Sequence, residues 1–467
     1  MRAPIRYLQK LFYLIRYIIF DILFSMKEHS VTFRCMYILY SSAWIGKWYT
    51  KRQLQRAAEK TPNGHSYKKT FHIGEIAITA VAINEDNYSY IVVCESSGDC
   101  VLVDVGDTKP VLDSLIEASY TPSAILSTHK HWDHCYGNKE ALEKFPHLKI
   151  YGSKLDRPHC VNKFVKNGEV IEAGRLRFTA ILVPGHTRGH IIYRLHIESG
   201  PDCLFTGDFL FVAGIGKMFE GTARRMLRSL LLLDDLPRST LIFPGHEYSL
   251  DNIEFALTLE PSNAALLAMK RLVHDRRAHR LPSVPTTLDD EFAYNPFLRT
   301  DKQVLTNALR GLGYEVPDLA AQRSMNNEGN VNSKRNIVGE ETAEKTSKLE
   351  SEEGVVQEEI NNEVCMVVEE VPEVTEIIEN DEICGGSSKT AIGVIHVEVD
   401  ESSGTNEEMT VEGIEENKLA VEEGKMNLKN SYTFRERVAV LRFLRLAKDA
   451  YAKSKEKLAT EACKEET

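Results

Sequence analysis

Four side chains able to bind a metal stand within six residues in Ser127-Thr128-His129-Lys130-His131-Trp132-Asp133-His134. Imidazole nitrogens and carboxylate oxygens are donors that divalent first-row cations take up readily. The apolar run Ala124-Ile125-Leu126 leads into the cluster and reads as a buried strand, so the donors arrive on a loop at a sheet edge. His129 and His131 share strand parity and can face one cation, while Asp133 and His134 can turn toward a second. A solvated polar loop would explain one or two such residues; four in six positions point to a metal site.

A pair of cations needs more donors than this loop holds. Three later segments supply them: Pro184-Gly185-His186 with His190 beyond, Phe205-Thr206-Gly207-Asp208, and Phe243-Pro244-Gly245-His246 with Tyr248 beyond. Each is a short apolar run ending in Gly and then a ligand type, and Gly permits the tight turn that brings a side chain back over a sheet edge. An isolated His is more often structural. Ligand types at four strand ends in succession are a pattern.

The motif Thr128-His129-x-His131-x-Asp133-His134, with the later His, Asp and His, resembles the metallo-β-lactamase fold. The flanking residues resemble glyoxalase II, the hydroxyacylglutathione hydrolase family, through Asp86-Asn87-Tyr88, Phe219-Glu220-Gly221, Gly245-His246-Glu247-Tyr248 and Tyr294-Asn295-Pro296-Phe297. That resemblance implies His129, His131 and His186 on one cation, Asp133, His134 and His246 on the other, and Asp208 bridging them. His190 matches a family position that is not a usual ligand and takes a supporting role. Two divalent ions are implied, zinc with iron or manganese as substitutes, activating water for attack on a thioester. Asp133 and Asp208 would be catalytic, and Lys217, Phe219, Tyr248, Arg445 and Lys448 would bind the substrate, an S-acyl (hydroxyacyl) glutathione. One departure stands out: Lys217-Met218-Phe219-Glu220-Gly221 has Phe219 where the family has Tyr. The missing hydroxyl removes a hydrogen bond worth about 0.5–1.5 kcal/mol and leaves the acyl group open.

Two other functions compete. A single-iron sulfur dioxygenase of the same fold would use His129, His131 or His186 and Asp208, and metal count separates it. A membrane-tethered scaffold with little activity has no need of all seven ligands. Nucleic acid is disfavoured as a partner, because no extended basic, aromatic-bearing arm flanks the motifs.

The elements that must position these residues are readable from hydrophobic patterning. Strands are expected at 73–83, 88–94, 100–105, 177–183, 191–195, 204–206 and 240–243, and helices at 109–118 and 222–232. Strands that begin as a meander and later alternate with helices give an α+β metallo-β-lactamase αββα sandwich over residues 71–250. Residues 251–321 turn helical and form a small substrate-binding domain.

The net charge of −11 is concentrated: residues 326–425 hold 27 acidic against 7 basic side chains. No aromatic residue lies between Tyr314 and Tyr432. Residues 322–428 therefore read as a disordered acidic insertion, a possible platform for protein partners. Helical periodicity resumes at 429–453, where Arg445-x-x-Lys448-Asp449 has the spacing that in glyoxalase II grips a glutathione carboxylate, so this helix should complete the substrate-binding domain. Residues 454–467 are a polar tail.

Residues 1–50 are basic and apolar, but Lys10, Arg16 and Asp21 interrupt the run below spanning length. They read as a peripheral membrane-surface anchor on the cytoplasmic side, or a mitochondrial targeting segment, joined through a basic linker at 51–70. Nine cysteines without paired spacing suit a reducing compartment rather than secretion. Cys135 beside a ligand reads as space-filling rather than nucleophilic.

Overall fold

The structure, a computed structural model, describes residues 31–316 and 432–465. These all belong to one compact unit. The chain enters through helices α1 (Val31–Ser41) and α2 (Ala43–Lys60). A first sheet follows: β1 (Lys69–Ile73), β2 (Ile76–Ile83), β3 (Asn87–Cys94), β4 (Cys100–Val103), helix α3 (Thr108–Ala118), β5 (Ala124–Leu126), the short α4 (Trp132–Cys135), α5 (Asn138–Lys144), β6 (Lys149–Ser153) and β7 (Lys163–Val165). Its strands pair in sequence order, antiparallel as far as β4 and parallel from there on.

The second sheet takes β8 (Val170–Ala173), β9 (Leu176–Leu182), β10 (Ile191–Leu195) and β11 (Cys203–Gly207). The hairpin β12 (Leu210–Phe211) and β13 (Gly214–Ile215) and helix α6 (Ala223–Leu231) precede β14 (Leu241–Pro244). After helices α7 (Ser249–Leu259) and α8 (Ala264–Ala278), β15 (Thr286–Thr287) closes the order β15-β14-β11-β10-β9-β8. Helices α9 (Leu288–Tyr294), α10 (Gln303–Gly311) and α11 (Phe434–Glu465) complete the unit.

Strand alternation sorts the apolar residues into three layers. Tyr88, Tyr90 and Val92 of β3 point between the sheets, where they meet Phe178, Phe205 and Phe243. Their neighbours Ile91 and Val93 point outward, against Val111 and Leu115 of α3. On the far side Ile192, Leu204 and Ile242 are covered by α6, α7, α10 and α11. The chain therefore has the expected αββα architecture with a C-terminal helical part.

Several expectations change. Residues 51–60 are not linker but the second half of α2, capped where the Ser42 side chain accepts from the Ile45 backbone N–H. Lys, Arg, Gln, Leu and Ala favour helix without an apolar stripe, so hydrophobic patterning passes over the segment. The loop after it is pinned as well: Arg277 donates to Ser66 Oγ (2.6 Å) and to the His65 carbonyl (2.8 Å). The expected tail from 454 is helical as far as Glu465. Residues 31–50 lie folded against the body of the protein, with Tyr37 buried. No helix among the described residues is long and apolar enough to cross a membrane. The expected acidic insertion and the basic stretch 1–30 lie outside the described residues.

The terminal helix closes the outer core. Val440, Leu441, Leu444 and Ala447 are all buried in it, beside Leu305 and Leu309 of α10. Leu444→Ala should lower unfolding free energy by about 2–5 kcal/mol in urea denaturation. The same truncation at Leu446, 47 % exposed two positions on, should change it by no more than about 0.5 kcal/mol.

Candidate metal centre

The potential ligands gather at one edge of the sandwich because their loops leave the carboxyl ends of β5, β9, β11 and β14. Two glycines make the approach possible. Gly207 holds φ at +48°, and a Cβ there would stand 2.4 Å from Thr128 Oγ1. A Cβ on Gly245 would stand 2.7 Å from the His134 ring.

Two groups of donor atoms result, His129, His131, His186 and Asp208 in one and Asp133, His134 and His246 in the other, each with its atoms within 4.8 Å of one another. In the first, His131 Nδ1 is 3.0 Å from His129 Nε2 and 2.9 Å from His186 Nε2. In the second, His134 Nε2 and His246 Nε2 are 3.2 Å apart. Asp208 faces both: Oδ1 lies 3.2 Å from His134 and from His246, and Oδ2 lies 3.3 Å from His186. Oδ1 is buried without a hydrogen-bond partner.

The outward nitrogen of each of these rings is already engaged. His134 Nδ1 meets Asp104 (2.9 Å), His246 Nδ1 meets Asp86 (2.8 Å), and His186 Nδ1 meets the Lys217 carbonyl (2.8 Å). His129 Nδ1 meets Thr128 Oγ1, whose own proton goes to Asp104. His131 Nε2 meets Tyr37 Oη (2.9 Å), whose proton goes to Glu220 (3.0 Å). An N–H committed outward leaves a lone pair directed inward, so the inner nitrogens need a shared cation. This donor set fits two metal ions, one for each group, with Asp208 between them.

Electrostatics agree. Burial, then the neighbouring His134 and His131, holds His129 well below the usual imidazole range, and burial with His186 does the same to His131. Burial would lower His134 too, but Asp208, Asp133 and Asp104 carry it up to about 10. Burial opposes the charge of Asp133, yet His134 and His246 hold it below the usual carboxylate range. A cation held by Asp133, His134 and His246 would take the place of that imidazolium proton, so metal uptake would release acid.

His190 stands outside both groups. Its ring stacks on His129 at 4.8 Å and its Nε2 accepts from the Asp208 backbone N–H (3.1 Å). Cys135 is buried with its thiol directed to the carbonyls of Lys130 and His131, and burial pushes its pKa up, so it is no nucleophile. Phe219 and Tyr248 flank the centre, Phe219 edge-on to His186 (5.2 Å) and Tyr248 stacked on His246 (4.6 Å). Lys217 is half exposed, 3.8 Å from Asp449. Arg445 pairs with that same Asp449 and donates to the Ile215 carbonyl, while Lys448 donates to the Asp251 carbonyl (2.8 Å). Lys217 and Arg445 thus meet at one carboxylate, and Lys448 turns aside.

Sequence reading gave His190 its supporting role but passed over Asp104, Tyr37 and Tyr40. Asp104 ends an apolar strand like the ligands do, and that signal was available. Tyr37 and Tyr40, whose hydroxyl donates to Asp133 Oδ1 (3.3 Å), come from helices with no chemical signature. Metal analysis of the protein purified without chelator should approach two ions per chain. Asp104→Asn should weaken the affinity for the second ion about 10–100-fold, read by competition with a chromophoric chelator.

Residues 84–246 match the metallo-beta-lactamase superfamily, and residues 247–329 match the hydroxyacylglutathione hydrolase C-terminus. The chain is 40% identical over 228 residues to hydroxyacylglutathione hydrolase cytoplasmic of Arabidopsis thaliana, covering 48% of this chain and 88% of that one. To the hydroxyacylglutathione hydrolase of Gloeobacter violaceus it is 41% identical over 226 residues, with 48% and 88% covered. To a hydroxyacylglutathione hydrolase-like protein of Gallus gallus it is 38% identical over 231 residues, with 49% and 82% covered. Since most of each relative's length is matched and both donor groups lie within residues 84–246, the chain belongs to the hydroxyacylglutathione hydrolase (glyoxalase II) family of the metallo-beta-lactamase superfamily.

Proposed function

We propose that the protein is a metal-dependent thioester hydrolase acting on S-acyl glutathione. The observation that carries this is the single Asp208 carboxylate, set between two groups of imidazole and carboxylate donors and open to both. His129, His131 and His186 would hold one ion and Asp133, His134 and His246 the other, with zinc preferred and iron or manganese compatible with the same donors. The ions when bound supply Lewis acidity that brings water to hydroxide near neutral pH. In the reaction the water oxygen bonds to the carbonyl carbon, the C–S bond breaks, and the sulfur leaves as thiolate. A thiol pKa near about 8.5 makes it a good leaving group without a strong general acid.

The chain's own residues orient this chemistry. Asp133 is fixed by Asn87 Nδ2 (3.0 Å) and Tyr40, and can hold the attacking water in line. Phe219 and Tyr248 border the reacting carbonyl. Lys217 and Arg445 serve a glutathione carboxylate, which would take the place of Asp449 between them, and Lys448 joins them by exchanging the Asp251 carbonyl for the ligand. A membrane surface remains our assignment for the N-terminal segment, on the cytoplasmic side or in mitochondria. It is supported by Trp44, 82 % exposed, and by Trp48 with the Arg52 guanidinium over its ring.

The test is turnover of S-lactoylglutathione by the zinc-loaded protein. Asp208→Asn should cut it more than about 100-fold with the fold intact by circular dichroism. Arg445→Ala with Lys448→Ala should raise KM about 10–100-fold for glutathione thioesters and leave small neutral thioesters nearly unchanged. Equal effects on both substrate types would remove the glutathione assignment.

A further inference from the structure

A cavity of about 570 Å³ opens directly above the donor groups, floored by His131, Asp133, Asp208 and His246. Its wall comes from a part of the chain outside the matched residues 84–329, namely α1 and α2. Phe33, Met36 and Leu39 of α1 and Ile45 and Tyr49 of α2 line it.

These helices are fastened to the metal loop itself. Tyr37 bonds to His131 and Tyr40 to Asp133, and Trp132 Nε1 donates to the Tyr40 carbonyl (3.0 Å). At Gly46 the fit is close enough that a Cβ would lie 2.0 Å from Trp132 Nε1. Phe219 completes the seam, with its ring stacked at 5.4 Å on Tyr37 and at 5.8 Å on Phe33. The wall is therefore a built part of the site.

Its chemistry selects an occupant. No Lys or Arg lines the cavity among the described residues, and Glu85 and Asp86 stand at its rim. Away from the ions its floor would hold, the cavity offers a carboxylate no basic partner among the described residues and sets two acidic side chains at its mouth, so the glutathione half of a thioester belongs on the side of Lys217 and Arg445. The group bonded to the thioester carbonyl then enters the cavity. Its volume falls in the range that holds drug-sized ligands, far more than a three-carbon hydroxyacyl group fills. Met36 (62 % exposed) and Leu39 (46 % exposed) offer apolar surface for a ligand to cover.

We propose that α1 and α2 form an acyl subsite, and that the preferred substrates are glutathione thioesters of bulky, uncharged, apolar acids. The inference rests on the thioesterase reading and adds the substrate class to it.

The test compares S-octanoyl-, S-lactoyl- and S-succinylglutathione on the zinc-loaded full chain. Each buried methylene should contribute about fourfold, so kcat/KM for octanoyl should exceed that for lactoyl by about tenfold or more, with succinyl poorest. Phe33→Ala with Met36→Ala should bring the octanoyl-to-lactoyl ratio to within about threefold of unity. Met36→Lys should reverse the order of octanoyl and succinyl, and the exposure of Met36 lets the fold accept it. Calorimetry with the thioethers S-octyl- and S-methylglutathione reads the subsite without turnover, and octyl should bind at least about tenfold tighter, the contribution of two buried methylenes. Lactoyl turned over as well as octanoyl, with no preference between the thioethers, would overturn the acyl subsite and leave the thioesterase reading standing. Failure to hydrolyse any of the three, with S-octylglutathione still preferred, would overturn the thioesterase reading alone.

Discussion

One carboxylate sets the geometry of this protein's working edge. Asp208 reaches the inner nitrogens of His134 and His246 with one oxygen and that of His186 with the other. Bringing imidazoles this close in a buried place costs free energy unless a cation or a proton sits among them. The sandwich carries that strain because the outward nitrogens are locked by Asp104, Asp86, Thr128, Tyr37 and the Lys217 carbonyl. Strand ends deliver the ligands, and these outer partners decide which lone pair each ligand presents.

The supporting layer is continuous with the fold. Asp104 follows β4 and receives both the Thr128 backbone N–H and its hydroxyl proton, so it joins two neighbouring parallel strands while steering two imidazoles. Asp86 in the β2–β3 turn holds the His246 ring, and Asn87, the first residue of β3, donates to Asp133. Glu220 accepts from Tyr37 and from the Arg188 backbone N–H and pairs with Lys130, tying α1 to the loops on both sides of the centre. Loss of any one of these would be felt first as a rotated ligand and only later as an unfolded protein.

How much of this was legible in the sequence follows from how restrictive each role is. Metal chemistry admits few side-chain types, so His129, His131, Asp133 and His134 draw the eye by composition alone. Period-two patterning likewise marks β3, since Tyr88, Tyr90 and Val92 need one neighbour layer and Ile91 and Val93 another. The pocket wall carries no such mark. Tyr37, Gly46 and the Tyr40 carbonyl act through shape and through hydrogen bonds that many residues make, and the apolar side chains around them look the same whether they face lipid, substrate or a core. α2 was hidden for a related reason: helix formers without a stripe resemble a polar connector. The pairing of Arg445 with Asp449 one turn away was legible as i,i+4 spacing, whereas the approach of Lys217 to the same carboxylate depends on tertiary structure.

The order in which these parts leave the ribosome is set by the same arrangement. The outer face of the second sheet is made early, with Ile192, Leu204 and Ile242, yet it is finished only by Val440, Leu441 and Leu444. Between α10 and α11 lie residues 312–433, and synthesis at about 5–20 residues per second puts roughly 6–24 s between the two helices. Throughout that interval a nascent chain carries a completed metal edge and an outer core that has α6, α7 and α10 but still lacks α11. Association between neighbouring chains on one messenger, or shielding by a chaperone, has its widest opening then, and it closes only when the last helix docks.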